Sequence, residues 1–186
     1  MKKQAIVLAA LIGAASAQAQ SNEQFYVTAA AGSTHLNVEC SGATTCDSSD
    51  TGGKLVGGYK FGNGFSVELG YMSFGKFKFA DSTEALTLKP TAITLGGAYA
   101  LPLGTDWGLN VRLGIAQVKT KGDAVVVGLG SGLRSESKAK AYAGVGVTYA
   151  ISPTVKLELA ADSTNAEIVG QKGAVRLISL GATFAF

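Results

Sequence analysis

From residue 24 onward, apolar and polar positions alternate with a period of two, in segments separated by Gly-rich or polar stretches. In residues 155–162, Val155, Leu157, Leu159 and Ala161 share one face while Lys156, Glu158 and Asp162 share the other. Leu109, Val111, Leu113 and Ile115 alternate with Asn110, Arg112, Gly114 and Ala116, and Phe65, Val67, Leu69 and Tyr71 alternate with Ser66, Glu68 and Gly70. Such alternation is the mark of strands with two chemically different faces. It predicts eight of them, over Gln24–Asn37, 53–61, 65–79, 86–101, 107–121, 138–151, 155–166 and 174–186. No segment keeps a helical period over the length of a helix. The predicted class is all-β.

The connections sort into two kinds. Residues 62–64, 102–106 and 152–154 are tight turns with turn chemistry, whereas 38–52 and 122–137 are long polar links. An even strand count with short turns at one end and long loops at the other predicts an eight-stranded antiparallel up-and-down transmembrane β-barrel, its short turns and both termini periplasmic. The face opposite the apolar one carries charge and many small residues, among them Gly96, Ala98, Gly144, Gly146 and Gly181. Small inward residues suit a narrow lumen, and a closed barrel leaves no unpaired sheet edge in lipid. Tyr59, Phe61, Phe65, Tyr99, Trp107, Tyr149, Phe184 and Phe186 lie on the apolar phase near the short turns, as a periplasmic aromatic girdle would.

Composition narrows the alternatives. The chain of 186 residues is 47% hydrophobic and 16% charged, with 25 Gly, whereas a soluble domain carries about a quarter charged residues. No apolar run reaches the roughly 18 residues of a spanning helix. Lys2, Lys3, an apolar run of 11 residues over 5–15, and the small-x-small sites Ala15-Ser16-Ala17 and Ala17-Gln18-Ala19 read as a secretory signal over 1–19, leaving 20–186 as the barrel domain. Without the two signal lysines, the 16 basic residues become 14 against 13 acidic ones, a balance of +1. That leaves no footprint for nucleic acid. Cys40 and Cys46 are the two cysteines, and in an exported chain they read as a disulfide, stabilising by roughly 2 kcal/mol in the chain-entropy account. A metal site ranks lower, because no histidine stands near them.

Taken together, the signal, strand count, loop asymmetry and closing Leu180-Gly181-Ala182-Thr183-Phe184-Ala185-Phe186 resemble the small eight-stranded outer-membrane barrels, the OmpA/OmpX-type and opacity-like "porin family" proteins. Leu55-Val56-Gly57-Gly58-Tyr59-Lys60-Phe61, a short turn and Phe65-Ser66-Val67-Glu68-Leu69-Gly70-Tyr71 resemble the first hairpin of that group. The resemblance covers essentially all of 20–186, identifies fold and location better than function, and includes no peptidoglycan-binding domain. It implies that the last strand, ending at Phe186, is read by the barrel-assembly machinery.

Lipid A deacylases resemble this fold and use a His-x-Ser pair with a glutamate. Here the single histidine, His35, is followed by Leu36 and Asn37, so no catalytic residue is assigned. Glu39, Asp47 and Asp50 lack the ligand count of a calcium loop; no metal and no cofactor are expected. Lys76, Lys78, Lys119, Lys121 and Lys138 fall where strands leave the outer leaflet, placed for lipopolysaccharide phosphates or for ordinary rim solubility. Residues 124–133 put Val125, Val127, Leu129 and Leu133 on one phase, as a partner-binding ridge or a hairpin packed on neighbouring loops. The polar phase places Glu68, Arg112 and Glu158 near the short turns, with Lys54, Lys140 and Asp162 higher. Because an arginine's forked donors bridge two carboxylates, this predicts a salt-bridged plug centred on Arg112; the alternative is charges that meet only lumen water.

The expectation is therefore a monomeric, non-enzymatic outer-membrane protein. Its role is membrane integrity or adhesin-like surface interaction through the long loops, and its partners are outer-membrane lipid, lipopolysaccharide, the assembly machinery and a host or surface ligand. A narrow pore for ions or small solutes is the alternative, and a lipid A-modifying enzyme a distant third.

Overall fold

The computed structural model describes residues 24–37, 45–80, 84–126, 130–168 and 171–186. Its strands in chain order are β1 (Gln24–Asn37), β2 (Thr45–Asp47), β3 (Ser49–Lys60), β4 (Phe65–Ser73) and β5 (Phe77–Ala80), followed by β6 (Glu84–Pro102), β7 (Trp107–Val126), β8 (Gly130–Ala150), β9 (Val155–Ile168) and β10 (Gln171–Ala185). The short β2 and β5 pair with each other above β3 and β4, so the barrel wall has eight staves. Each stave is antiparallel to its chain neighbours, and β1 closes on β10 from Tyr26↔Ala185 to Asn37↔Ala174. The fold is the expected eight-stranded antiparallel barrel.

The strands are inside out by the standard of a water-soluble protein. Along β7, Leu113 is 65% exposed while its neighbour Arg112 is 1% exposed. Outward Leu69, Leu95, Ile115, Leu159, Ile178 and Leu180 continue the same apolar belt around the wall. An apolar exterior with a polar interior is the arrangement hydrocarbon demands. The short turns are built as their sequences indicate. Gly64 takes φ +84°, the side-chain oxygen of Asn63 accepts the amide of Phe65 at 3.1 Å, and the Ser152 hydroxyl accepts that of Val155 at 3.0 Å.

Three boundaries differ from the sequence expectation. Residues 122–137 are mostly strand: the β7–β8 ladder runs unbroken to Val126↔Gly130. Their Gly, Ser and charged residues suggest a loop, yet above the lipid a strand pair needs no apolar face. The backbone of most of the 124–133 stretch continues this ladder, while Val127 and Leu129 fall outside the described residues. The segment 65–79 breaks at Phe74-Gly75-Lys76. There three residues on one side face two on β6, between Ser73↔Thr91 and Phe77↔Leu88, which makes a β-bulge. The 38–52 link contains β2 and the first residues of β3. Cys40, and with it the expected bridge to Cys46, lies outside the described residues, as do 1–19 and the cleavage sites.

The lumen holds a feature the small-residue pattern did not suggest. Its outer half is packed with Leu36, Met72, Phe74, Phe77, Val175 and Leu177, all buried. The bulge delivers the two phenylalanines. The amide of Phe74 donates to Pro90 O at 3.1 Å, and the Thr34 hydroxyl lies 2.8 Å from the carbonyl oxygens of both Phe74 and Asp50. Gly75 turns with φ +78°, and the Asp50 carboxylate accepts the amides of Lys76 at 2.5 Å and Thr51 at 2.8 Å. Those amides hold the Asp50 carboxyl below the usual carboxylate range.

Glycines mark where the wall has no space. A Cβ on Gly181 would strike the carbonyl oxygen of Ala29 and the Ala30 side chain, whereas one on outward Gly57 meets nothing within 4 Å. Gly181→Val therefore destabilises the barrel, by about 1–3 kcal/mol or more, and Gly57→Val folds as well as the wild type. The heated-against-unheated gel shift reads both; equal folded yields would refute the assignment of these phases.

Candidate functional site

Below the apolar layer, the inward phase of several strands converges on one ionic cluster. Arg112 of β7 reaches Glu68 of β4 (Nε–Oε2 3.0 Å) and Glu158 of β9 (Nη2–Oε2 2.6 Å). Lys54 of β3 lies between Glu158 (Nζ–Oε1 3.2 Å) and Asp162 (Nζ–Oδ2 2.7 Å). The Tyr26 hydroxyl donates to Glu68 at 2.6 Å, that of Tyr142 to Asp162 at 2.6 Å, and the Asn110 amide to Glu158 at 3.3 Å. Gly144 is the register partner of both Arg112 and Asp162, and a Cβ there would lie 2.5 Å from Asp162 Oδ1 and 3.2 Å from the Tyr142 hydroxyl. The small residue makes room for the large charged one across the strand.

Of the six charged residues picked out from the sequence, five meet in these four ion pairs. Lys140 stands on the inward phase of β8, opposite Ala116 and two residues beyond Tyr142, outside those four pairs. Sequence reasoning missed Tyr26, Tyr142 and Asn110. Their signal was their place on the inward phase, at positions where a hydroxyl or amide faces carboxylates.

The remaining candidates occupy the wall and rim. Tyr59 packs against Phe25 and Phe61, Phe61 stacks on Phe65, and Trp107 packs against Tyr149. Phe25, absent from the sequence-based girdle, belongs to this band, and its carbonyl accepts the amide of Phe186 at 3.0 Å. Tyr99, Phe184 and Phe186 are exposed on the same outer surface. Lys76, Lys78, Lys119 and Lys121 are exposed. Lys138 departs from the expectation: it falls on the inward phase of β8 and pairs with Glu136 at 2.8 Å, because even-numbered positions of that strand face the lumen. His35 is an exposed outward residue whose Nδ1 lies 2.9 Å from the Ser49 hydroxyl. Among the described residues no group of three or more His, Cys, Asp or Glu forms a metal-binding set.

The sequence pattern of the family described as "Outer membrane protein beta-barrel domain" matches residues 5–186. The chain belongs to this family. Among solved structures, this outer-membrane barrel is similar to Neisserial surface protein A (19% identity, 87% of this chain and 97% of that one, TM-score 0.60). It is also similar to Ail, the attachment invasion locus protein of Yersinia pestis (18%, 88% and 97%, TM-score 0.55), and to OprG of Pseudomonas aeruginosa (14%, 89% and 97%, TM-score 0.51). At these identities the likeness concerns the fold. No curated protein matches the sequence. Membership places the barrel in the bacterial outer membrane.

The cluster has a defined stake in the barrel's stability. Glu68, Glu158 and Asp162 against Lys54 and Arg112 give it a formal charge of −1, with two tyrosine hydroxyls donating to its carboxylates. Removing one partner from such a buried set leaves an uncompensated charge and costs about 3–5 kcal/mol. Arg112→Met is expected to lose that much, and adding Glu68→Gln to recover part of it. Urea unfolding followed by the fluorescence of Trp107, the single tryptophan, measures both; a double variant no better than the single one would remove Glu68 from the coupling.

Proposed function

We propose that this barrel is a closed, non-enzymatic outer-membrane platform, which contributes to membrane integrity and presents its extracellular hairpins for surface interaction. One observation carries the reading: the lumen is filled twice over, by the Arg112 cluster and then by the apolar layer around Phe74 and Phe77. Eight strands enclose a space that side chains just fill. This disfavours the narrow pore. The long β7–β8 ladder supports the presentation role, since it carries its hairpin outward on paired strands. Two barrels of the same fold bear the names of a surface protein and an attachment protein, which agrees with the reading without carrying it.

The experiment is planar-bilayer conductance alongside an adhesion and serum-survival assay. Wild type is expected to pass no large steady current, and Arg112→Ala to stay closed because the apolar layer still fills the outer half. Exchanging the tips of the β7–β8 and β1–β2 connections should abolish binding without affecting folding. A large, steady wild-type current would establish the pore instead.

The outward lysines fit the same role. Lys119 and Lys121 continue the outer phase of β7 directly beyond the apolar belt, with Lys121 opposite Lys89 in register. Lysines at that height suit lipopolysaccharide phosphates, each as a point charge. Replacing Lys119 and Lys121 by Gln should lower the lipopolysaccharide retained on purification severalfold; unchanged retention would leave them as rim solubility.

A further inference from the structure

Beneath the ion cluster the barrel opens toward the short turns as a cavity of about 620 Å³. Its ceiling consists of residues already committed: Tyr26 and Ser66 beside Glu68, and Asn110 beside Glu158. Its walls bring in two cations that the cluster does not use. Lys60, at the end of β3 and paired in register with Gln24, and Lys156, near the start of β9 and paired with Thr183, both line the space. Both stand on the inward phase at the turn ends of strands that β1 and β10 separate around the wall, so two like charges share one cavity. Among the described residues neither has a carboxylate within ion-pair distance. Asp106, the one acidic side chain lining the cavity among the described residues, lies in the exposed turn at its mouth.

The contrast with Lys54 is informative. That inward lysine, six residues along the same strand from Lys60, is gripped by two carboxylates. Among the described residues, the barrel thus compensates Lys54 at one level and leaves Lys60 and Lys156 without a carboxylate partner at the next, where the cavity opens to the aqueous side. Like charges sharing one cavity repel each other, and an anion between them removes that cost. The other wall groups are neutral and able to donate: Gln24, Thr148 and the second proton of the Asn110 amide.

We propose that this vestibule binds a small oxyanion, inorganic phosphate or a compact phosphomonoester, which enters from the periplasmic end and is held between Lys60 and Lys156. Two point charges lining one cavity suit an anion whose charge is spread over several oxygens. The volume falls within the range of small-molecule sites and exceeds what phosphate itself needs. The closed ceiling makes this a binding site rather than a passage. The proposal does not depend on the surface role argued above.

The test is calorimetric titration of the purified full-length barrel, in non-ionic detergent free of phosphate, with inorganic phosphate and then glycerol phosphate. Saturable binding is expected. Lys60→Gln or Lys156→Gln should weaken it by about tenfold each, a loss near 1.4 kcal/mol, and the two together should abolish it. Lys156→Arg should retain it, and the outward Lys119→Gln should leave it unchanged, with the gel shift verifying that every variant is folded. Absence of saturable binding to wild type, or undiminished binding to the double variant, overturns the proposal. Doping the micelles with phosphatidylglycerol should leave the titration unaltered; competition by that lipid would assign the site to a headgroup and overturn the soluble ligand.

Discussion

Closure of the hydrogen-bond ladder between β1 and β10 is the constraint from which the rest of the structure follows. In hydrocarbon an unpaired amide or carbonyl costs several kcal/mol, so every stave must have two neighbours. Once the wall is closed, each residue faces either lipid or lumen, and the alternation Leu113 outside, Arg112 inside is forced. With eight staves the lumen is narrow. Any inward side chain then meets other inward side chains, and a charged one must find its counterpart there.

That logic explains what the sequence disclosed and what it concealed. Period two was enough to place Glu68, Arg112 and Glu158 inside, because lipid excludes them from the other face. With the fork of the guanidinium it also pointed to Arg112 as the bridge between the two glutamates, but it did not say which of Lys54, Lys140 and Asp162 would touch them. Lys54 and Asp162 are 108 residues apart, and only the stagger of the staves brings them to one height. Tyr26 and Tyr142 stand on the same inward phase, but a neutral side chain there does not by itself point to the carboxylate its hydroxyl meets. The outer apolar layer was hidden by a single inserted residue. Phe74 keeps the even inward phase of β4, but after the bulge the odd-numbered Phe77 turns inward and Lys78 turns out. A one-residue shift exchanges the faces, and no pattern read at constant phase survives it. The β7–β8 extension was concealed for a different reason: beyond the lipid, nothing obliges a strand to alternate apolar with polar.

The lumen therefore has a vertical order. An open polar vestibule lies toward the periplasmic turns, the ion cluster stands across the middle, and an apolar layer meets the outside. Charge sits where water can approach from below, and hydrocarbon seals the end that faces the environment. The Asp50 carboxylate, by holding the amides of Thr51 and Lys76, fixes the bulge that supplies this seal.

The parentage of the ion cluster also constrains how the chain can reach its folded state. Its members come from β1, β3, β4, β7, β8 and β9, so six of the eight staves contribute. A β7–β8 hairpin alone carries Arg112 with no carboxylate to meet it; Glu68 arrives with β4 and Glu158 with β9. Entering the bilayer singly, β3, β4, β7 and β9 would each carry unpaired charge into hydrocarbon, at a cost of several kcal/mol. The charges are compensated only when those four staves stand together, so the interior is complete only when most of the wall is.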